Sequence, residues 1–164
     1  MKPIHVIQAK ANRWANELLY AELAKLTPEQ LNQSFGVNFG SIMGLANHTV
    51  MADRAWLARL NGVTPGGFAA FTDFAGLRAE RETLDVRIVA FAEIFDPARL
   101  SETLRYTDLR GKACAEPISV CLAQFLGHQV FHRGQLHALL GVFGITAPDM
   151  DLIYYHVAHR EDSA

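Results

Sequence analysis

Two histidines four residues apart, His128 and His132, are the residues of this sequence best suited to chemistry. They stand in a long and largely apolar run, FLGHQVFHRGQLHALL, which predicts a helix. Helix positions four apart share one face about one turn apart, so both imidazoles can reach a single ion. Neutral imidazole is the commonest side-chain ligand of transition metals and is available near pH 7. The pair therefore predicts a metal site.

The angular layout of this helix places the pair on its inward face. At about 100° per residue, both histidines fall within one stripe of mostly apolar side chains, which also holds Cys121, Phe125, Gln135, Leu139 and Phe143. His137 points roughly the opposite way, which makes it a poor third ligand. Gln135 stays close to the histidines, where it could orient a bound water or bond to the backbone. Cys121 lies about two turns from His128, too far to be a fourth ligand.

A third ligand has to come from another helix, and His48 suits this role best. It shares a stripe with small residues, Ala52 and Ala55, which let a second helix approach closely. Three histidines from two helices leave coordination positions open to water or substrate, as expected of a catalytic site. All-nitrogen ligation leaves zinc, nickel, manganese and ferrous iron as candidates. Spacing alone equally allows core histidines satisfied by hydrogen bonds.

The remaining elements predict an all-α chain built around four long helices. A capping box at Thr27–Gln30 starts a short helix after the first long one. Alternating side chains predict a short β-hairpin as a crossover between the third and fourth long helices. The predicted elements are long helices over about 5–26, 41–60, 76–95 and 117–144, a hairpin beginning with 103–108, and a terminal helix over about 150–159.

Composition limits the partners of this chain. Its 164 residues are half hydrophobic with a formal net charge of −2, which predicts a single domain, 1–164, and supports neither nucleic-acid nor membrane binding.

No apolar run reaches the length of a membrane span, and the N-terminus lacks the apolar core of a signal peptide. Two cysteines predict no disulfide scaffold and a cytoplasmic location. Leu126, Val130 and Leu140 lie near a second apolar face of the fourth helix. Such a helix is either central in the bundle or covered by a partner, so a homodimer is one hypothesis.

Several motifs of the chain resemble the DinB-like superfamily. HQVFHRGQL is similar to its signature helix, and NHTVMADRAWLARL resembles the matching second helix. ANRWANELL, LRYTDLRGK and GITAPDMDLIYY fit the same pattern. The resemblance implies a four-helix bundle of up-down-down-up type, often a homodimer, with a divalent metal on His48, His128 and His132. The superfamily name refers to induction by DNA damage.

The resemblance implies a metal-dependent enzyme without fixing its reaction. Relatives include transferases and isomerases that use low-molecular-weight thiols, proposed metal-dependent hydrolases, and many proteins of unknown reaction. In the first case the metal would activate a cosubstrate thiol toward a small electrophile, and in the second a water. No carboxylate lies obviously beside the histidine stripe to act as a base. The opposing expectation is a non-catalytic protein whose metal only stabilises the bundle, or whose surface binds a partner. We expect the N-terminal helix and the Gly66–Gly67 loop to close the pocket.

Overall fold

Helices make up most of the chain. A computed structural model describes residues 2–108 and 110–160. Its elements are α1 (Ile4–Leu23), α2 (Pro28–Asn32), α3 (Ile42–Leu60), α4 (Phe74–Ile94), a 3₁₀ helix (Pro97–Ser101), β1 (Thr103–Thr107), β2 (Ala113–Pro117), α5 (Ile118–Val142) and α6 (Leu152–Ala158). The two strands form an antiparallel hairpin between α4 and α5. Leu109, which we placed in the hairpin motif, lies outside the described residues.

Side-chain caps set the starts of three helices. Thr27 and Gln30 form the predicted capping box at α2, and the Ser41 hydroxyl accepts from the Gly44 N–H at α3. The Asp73 carboxylate accepts from the Gly76 N–H at 2.7 Å, so α4 begins at Phe74, two residues before the predicted start. Each cap satisfies a backbone donor that the first helical turn leaves unpaired.

The four long helices α1, α3, α4 and α5 run up, down, down and up. Their directions follow from pairs of contacts between them. Helices α1 and α4 meet at Lys10–Glu93 and Asn16–Asp85, and α1 and α5 meet at Asn12–Leu126 and Asn16–Gln129. Helix α3 meets the chain entering α4 at Asn47–Phe71 and α4 itself at Asp53–Arg81. Thus α1 lies antiparallel to α4 and parallel to α5, while α3 lies parallel to α4. It follows that α3 and α5 are antiparallel. The predicted bundle topology is confirmed.

Two consecutive parallel helices need a connection that returns along the bundle. Residues 61–73 provide it in an extended path without helix. Asn47, on the second turn of α3, holds the end of this path at Phe71: its Oδ1 accepts from the Phe71 N–H at 2.8 Å, and its Nδ2 donates to the Phe71 carbonyl at 3.1 Å. A buried amide thus satisfies both polar groups of one loop residue.

A charged cluster crosses the apolar core. Arg81 donates to Asp53 at 2.5 Å and pairs with both oxygens of Asp85. Asp53 is fully buried, and burial raises the pKa of both carboxyls against the opposing attraction of Arg81. Asp53 and Arg81 thus form an ion pair between α3 and α4. Arg133 is buried and donates instead to asparagine oxygens of α1.

The two apolar faces of α5 have an explanation within the bundle. Leu126 and Leu140 are buried, because α5 packs against both α1 and α3. Val130 is exposed, as are Val120, Phe131 and Val142. The apolar character of α5 therefore comes mainly from its central position. Within residues 2–108 and 110–160, no helix combines the length and apolarity needed to cross a membrane.

Candidate metal centre

The antiparallel packing of α3 on α5 brings the three predicted histidines together. The Nε2 atom of His128 lies 3.3 Å from Nε2 of His48 and 3.0 Å from Nε2 of His132. A set of ligand atoms, one from each ring, lies within 4.8 Å of one another. His48 and His128 are half-buried, whereas His132 is buried. Rings that are 80 residues apart in sequence thus share one point in space.

The spacing of these nitrogens fits a metal ion. Two nitrogens bound about 2.1 Å from one ion at an angle of about 90–110° are about 3.0–3.4 Å apart. The two measured Nε2 separations, 3.3 Å and 3.0 Å, fall in this range. Among the described residues, these histidines form the one cluster of three or more side chains with such geometry. The donor set is nitrogen alone, which suits the four predicted metals.

Gln135 orients one of the three rings. Its Oε1 lies 2.7 Å from Nδ1 of His132, and an amide oxygen can only accept, so the imidazole donates from Nδ1. The Nε2 lone pair of His132 then faces the other two histidines. The angular layout placed Gln135 near the metal face, but it did not predict this bond to a histidine. Such bonds to the outer nitrogen fix the tautomer of metal-binding histidines.

The electrostatics of the cluster keep His48 and His128 neutral. Burial, followed by the neighbouring His132, lowers the pKa of His48 to about 4. Burial, His132 and His48 together lower the pKa of His128 to about 4. Both imidazoles are therefore uncharged at pH 7, and their lone pairs are free for a ligand. The Nδ1 atoms of both rings are buried and meet no hydrogen-bonding partner in the described part of the chain.

Aromatic side chains flank the cluster, and the sequence analysis did not identify them. The ring of Phe39 stacks on His48 with centroids 3.8 Å apart, and Phe131 meets His132 edge-on at 5.0 Å. We expected the N-terminal helix and the Gly66–Gly67 loop to cover this site. The described aromatic contacts come instead from the connector 33–41 and from α5 itself.

The connector holds Phe39 through unusual backbone geometry. Phe39 has a φ of 68°, a left-handed conformation that costs a non-glycine residue about 1 kcal/mol or more. Its carbonyl oxygen lies so close to α3 that a Cβ on Gly44 would stand 2.0 Å from it. Only glycine fits there. The turn-rich segment NQSFGVNFG was the available signal, but it predicts a turn without predicting which helix the turn covers.

The other candidates lie outside the cluster. His137 is exposed on α5, as its angular position predicted. Cys121 is a buried free thiol whose pKa is raised, chiefly by burial. Asp53 is occupied by Arg81 and is not available as a base at the histidines.

Comparisons with known proteins agree with this fold. The model of the DinB family matches residues 7–163. Protein DinB of Bacillus subtilis is 21% identical over 161 residues, which are 93% of this chain and 94% of that protein. The crystal structure of a DinB-like protein from Bacillus cereus aligns with a TM-score of 0.62 and 22% identity, over 84% of this chain and 91% of that one. Since the family model spans nearly the whole sequence, the chain belongs to the DinB family.

Proposed function

We propose that this protein is a metal-dependent enzyme of thiol-transferase type that acts on a small electrophilic substrate. The observation that carries the proposal is the convergence of three imidazole Nε2 atoms from α3 and α5 at ligand spacing. One divalent transition metal, zinc, nickel, manganese or iron, would be held by His48, His128 and His132. A low-molecular-weight thiol would be the cosubstrate.

Three protein ligands support a catalytic site over a purely structural one. Structural zinc sites are almost always closed by four protein ligands, whereas catalytic sites leave a position for water or substrate. When bound, a divalent ion lowers the pKa of a thiol or water that it contacts. The three histidines would supply this ion with nitrogen donors, and Gln135 holds His132 in the tautomer that leaves Nε2 available.

The surroundings of the histidines favour thiol activation over hydrolysis. The described contacts of the three rings are with one another, with Gln135 and with phenylalanine rings, and none involves a carboxylate or a lysine. A hydrolase benefits from a general base that takes a proton from the attacking water. A thiol whose pKa falls below the working pH needs no such base, because it loses its proton to solvent.

Metal analysis of protein purified without an affinity tag tests the site. We expect about one metal per chain in the native protein and a loss of metal in His48→Ala, His128→Ala and His132→Ala. His137→Ala is the matched control, because it removes an exposed histidine from the same helix. Full metal content in all three site variants would show that the ligands are wrong.

Turnover assays then test the reaction. We expect the metal-loaded protein to consume small electrophiles only when a low-molecular-weight thiol is present, and the His128→Ala variant to lose this activity. Thiol-independent cleavage of esters or amides would support the hydrolase instead. A metal that exchanges no solvent and supports no turnover would support a non-catalytic protein stabilised by its ion.

We also propose a homodimer in a reducing cytoplasm. The exposed valines of α5 and Phe131 are apolar surface that a second copy could cover. Both cysteines are free, as expected where thiols stay reduced. Sedimentation should give twice the chain mass of 18.2 kDa; a monomer at micromolar concentration would contradict the dimer. The net charge of −2 supports a small molecule over nucleic acid or membrane as partner.

A further inference from the structure

A concave pocket of about 350 Å³ lies near the candidate metal centre, with Gln135 between the pocket and His132. It lies between the connector 33–41, the first turn of α3 and the second half of α5. Its volume is in the range of small-molecule sites, about 300–1,000 Å³. The walls include Val37, Asn38, Leu45, Gln135, Ala138 and Leu139.

The chemistry of these walls selects the ligand. Most of the lining side chains are aliphatic, and none of the described lining residues is ionisable. A charged ligand would lose its hydration without gaining a counter-charge, so the walls favour an uncharged molecule with an apolar body. Asn38 and Gln135 are the two polar side chains. Gln135 uses its Oε1 for His132, which leaves its amide N–H groups to donate to an acceptor on the ligand.

Two wall segments connect the pocket to the histidine cluster. Gln135 is a wall residue that also bonds to His132 at 2.7 Å. On the other side, Val37 and Asn38 immediately precede Phe39, whose ring stacks on His48. A molecule seated in the pocket therefore presses on neighbours of two of the three rings.

We propose that this pocket binds the apolar body of the substrate, a small uncharged molecule with a hydrogen-bond acceptor near Gln135. The inference rests on the proposed function, since it assigns a substrate class to the same site. A linear or aromatic body lies along Leu45 and Leu139, with its acceptor at the side-chain amide of Gln135. Ala138 limits the width of the pocket from α5.

Linear primary alcohols from propanol to octanol are suitable probes, because they are uncharged and carry one acceptor. Each methylene that enters the pocket should tighten binding about fourfold, until the chain outgrows the pocket. Titration calorimetry measures these affinities, and nuclear magnetic resonance follows the side-chain amide of Gln135, which should shift on binding. Alcohols that bind with no dependence on chain length would overturn the proposal.

Ala138→Phe tests the location, since a phenyl ring at this exposed wall position fills the pocket without disturbing the core. We expect it to weaken octanol binding at least tenfold. Ala123→Phe is the matched control: it is the same change at an exposed alanine of α5 that lines a different groove, and binding should stay within twofold. Equal affinity in the native protein and Ala138→Phe would refute the location. Metal content is measured on the same samples, which separates the two proposals. Native protein that binds no metal would contradict the proposed function, whereas alcohol binding that does not depend on chain length would contradict the pocket.

Discussion

Removal of the Gln135 carbonyl should weaken metal binding without removing a ligand. Gln135→Leu keeps a side chain of similar size but cannot accept the proton on Nδ1 of His132. That ring is then free to donate from Nε2, and an Nε2 that carries a proton cannot bind a metal. The change therefore tests whether Gln135 sets the tautomer of His132.

The structure sets the expected magnitude. Partners of the outer nitrogen typically contribute 10- to 100-fold to metal affinity, which is about 1.4–2.8 kcal/mol. The bond here is short, at 2.7 Å, and the His132 side chain is 7% exposed, so little water can replace the lost acceptor. We therefore expect a loss in the upper part of this range, about 30- to 100-fold. Gln135→Glu keeps an acceptor and should retain affinity.

Competition with a chelating indicator at fixed pH measures these affinities on protein without a tag. Gln124→Leu is the matched control, because it makes the same change at an exposed position of α5 and should bind metal as the native protein does. Urea unfolding of the metal-free variants, with an unchanged slope, confirms that they are folded. A loss of less than threefold in Gln135→Leu would refute the proposed role of this residue.

Three further predictions concern stability. Gly44→Ala should destabilise the fold by about 1–3 kcal/mol in urea unfolding, because its Cβ would stand 2.0 Å from the Phe39 carbonyl oxygen. Asp53→Ala at pH 8 should cost about 3–5 kcal/mol by the same measurement, since it leaves the Arg81 charge buried without one of its two partners. The pKa values of His48 and His128 are lowered from 6.5 to about 4. Their contribution to metal-free stability is therefore present above about pH 6.5 and lost as the pH falls toward 4.

Each of these predictions has its own control. Gly127→Ala adds a Cβ that meets nothing within 4 Å, so it should be neutral or stabilising in the middle of a helix; equal losses at both glycines would contradict the close-approach argument. Glu82→Ala breaks an exposed pair and should cost under about 1 kcal/mol, so a similar cost for Asp53→Ala would contradict the buried-charge argument. In the double variant His48→Gln and His128→Gln, the free energy of unfolding should fall less between pH 6.5 and 4 than in the native protein. An unchanged pH dependence of stability would contradict its assignment to these two histidines.

The helices and the three clustered histidines were open to prediction, because they depend on local periodicity and on one repeated residue type. Predicting the stripe through His128 and His132 required only the helical repeat. Predicting the inward position of His48 required only the small residues around it on the same helix face. Helix ends were less predictable. The start of α4 depends on which side chain becomes the cap, and Asp73 was one of several polar residues in that loop.

The surroundings of the site were not predictable from the same signals. The stacking of Phe39 on His48 depends on a connector with three left-handed residues and on the missing side chain of Gly44. Neither feature produces a periodic pattern of apolar residues in the sequence. The position of Gln135 near the histidines was predicted by angle, yet its hydrogen-bonding partner depends on the rotamers of two neighbouring side chains. Long-range packing decides such details, and a single sequence holds no direct record of it.

The separation of His48 and His128 by 80 positions has a consequence for chain entropy. An ion bound to both would tie the first half of the chain to the second, as a crosslink does. In the loop-closure description of disulfides, a crosslink over about 80 residues lowers the conformational entropy of the unfolded chain. At 25 °C this loss stabilises the folded state by about 4–5 kcal/mol. Metal-dependent melting is therefore expected for a catalytic ion as much as for a structural one. Solvent exchange at the ion is the measurement that distinguishes them.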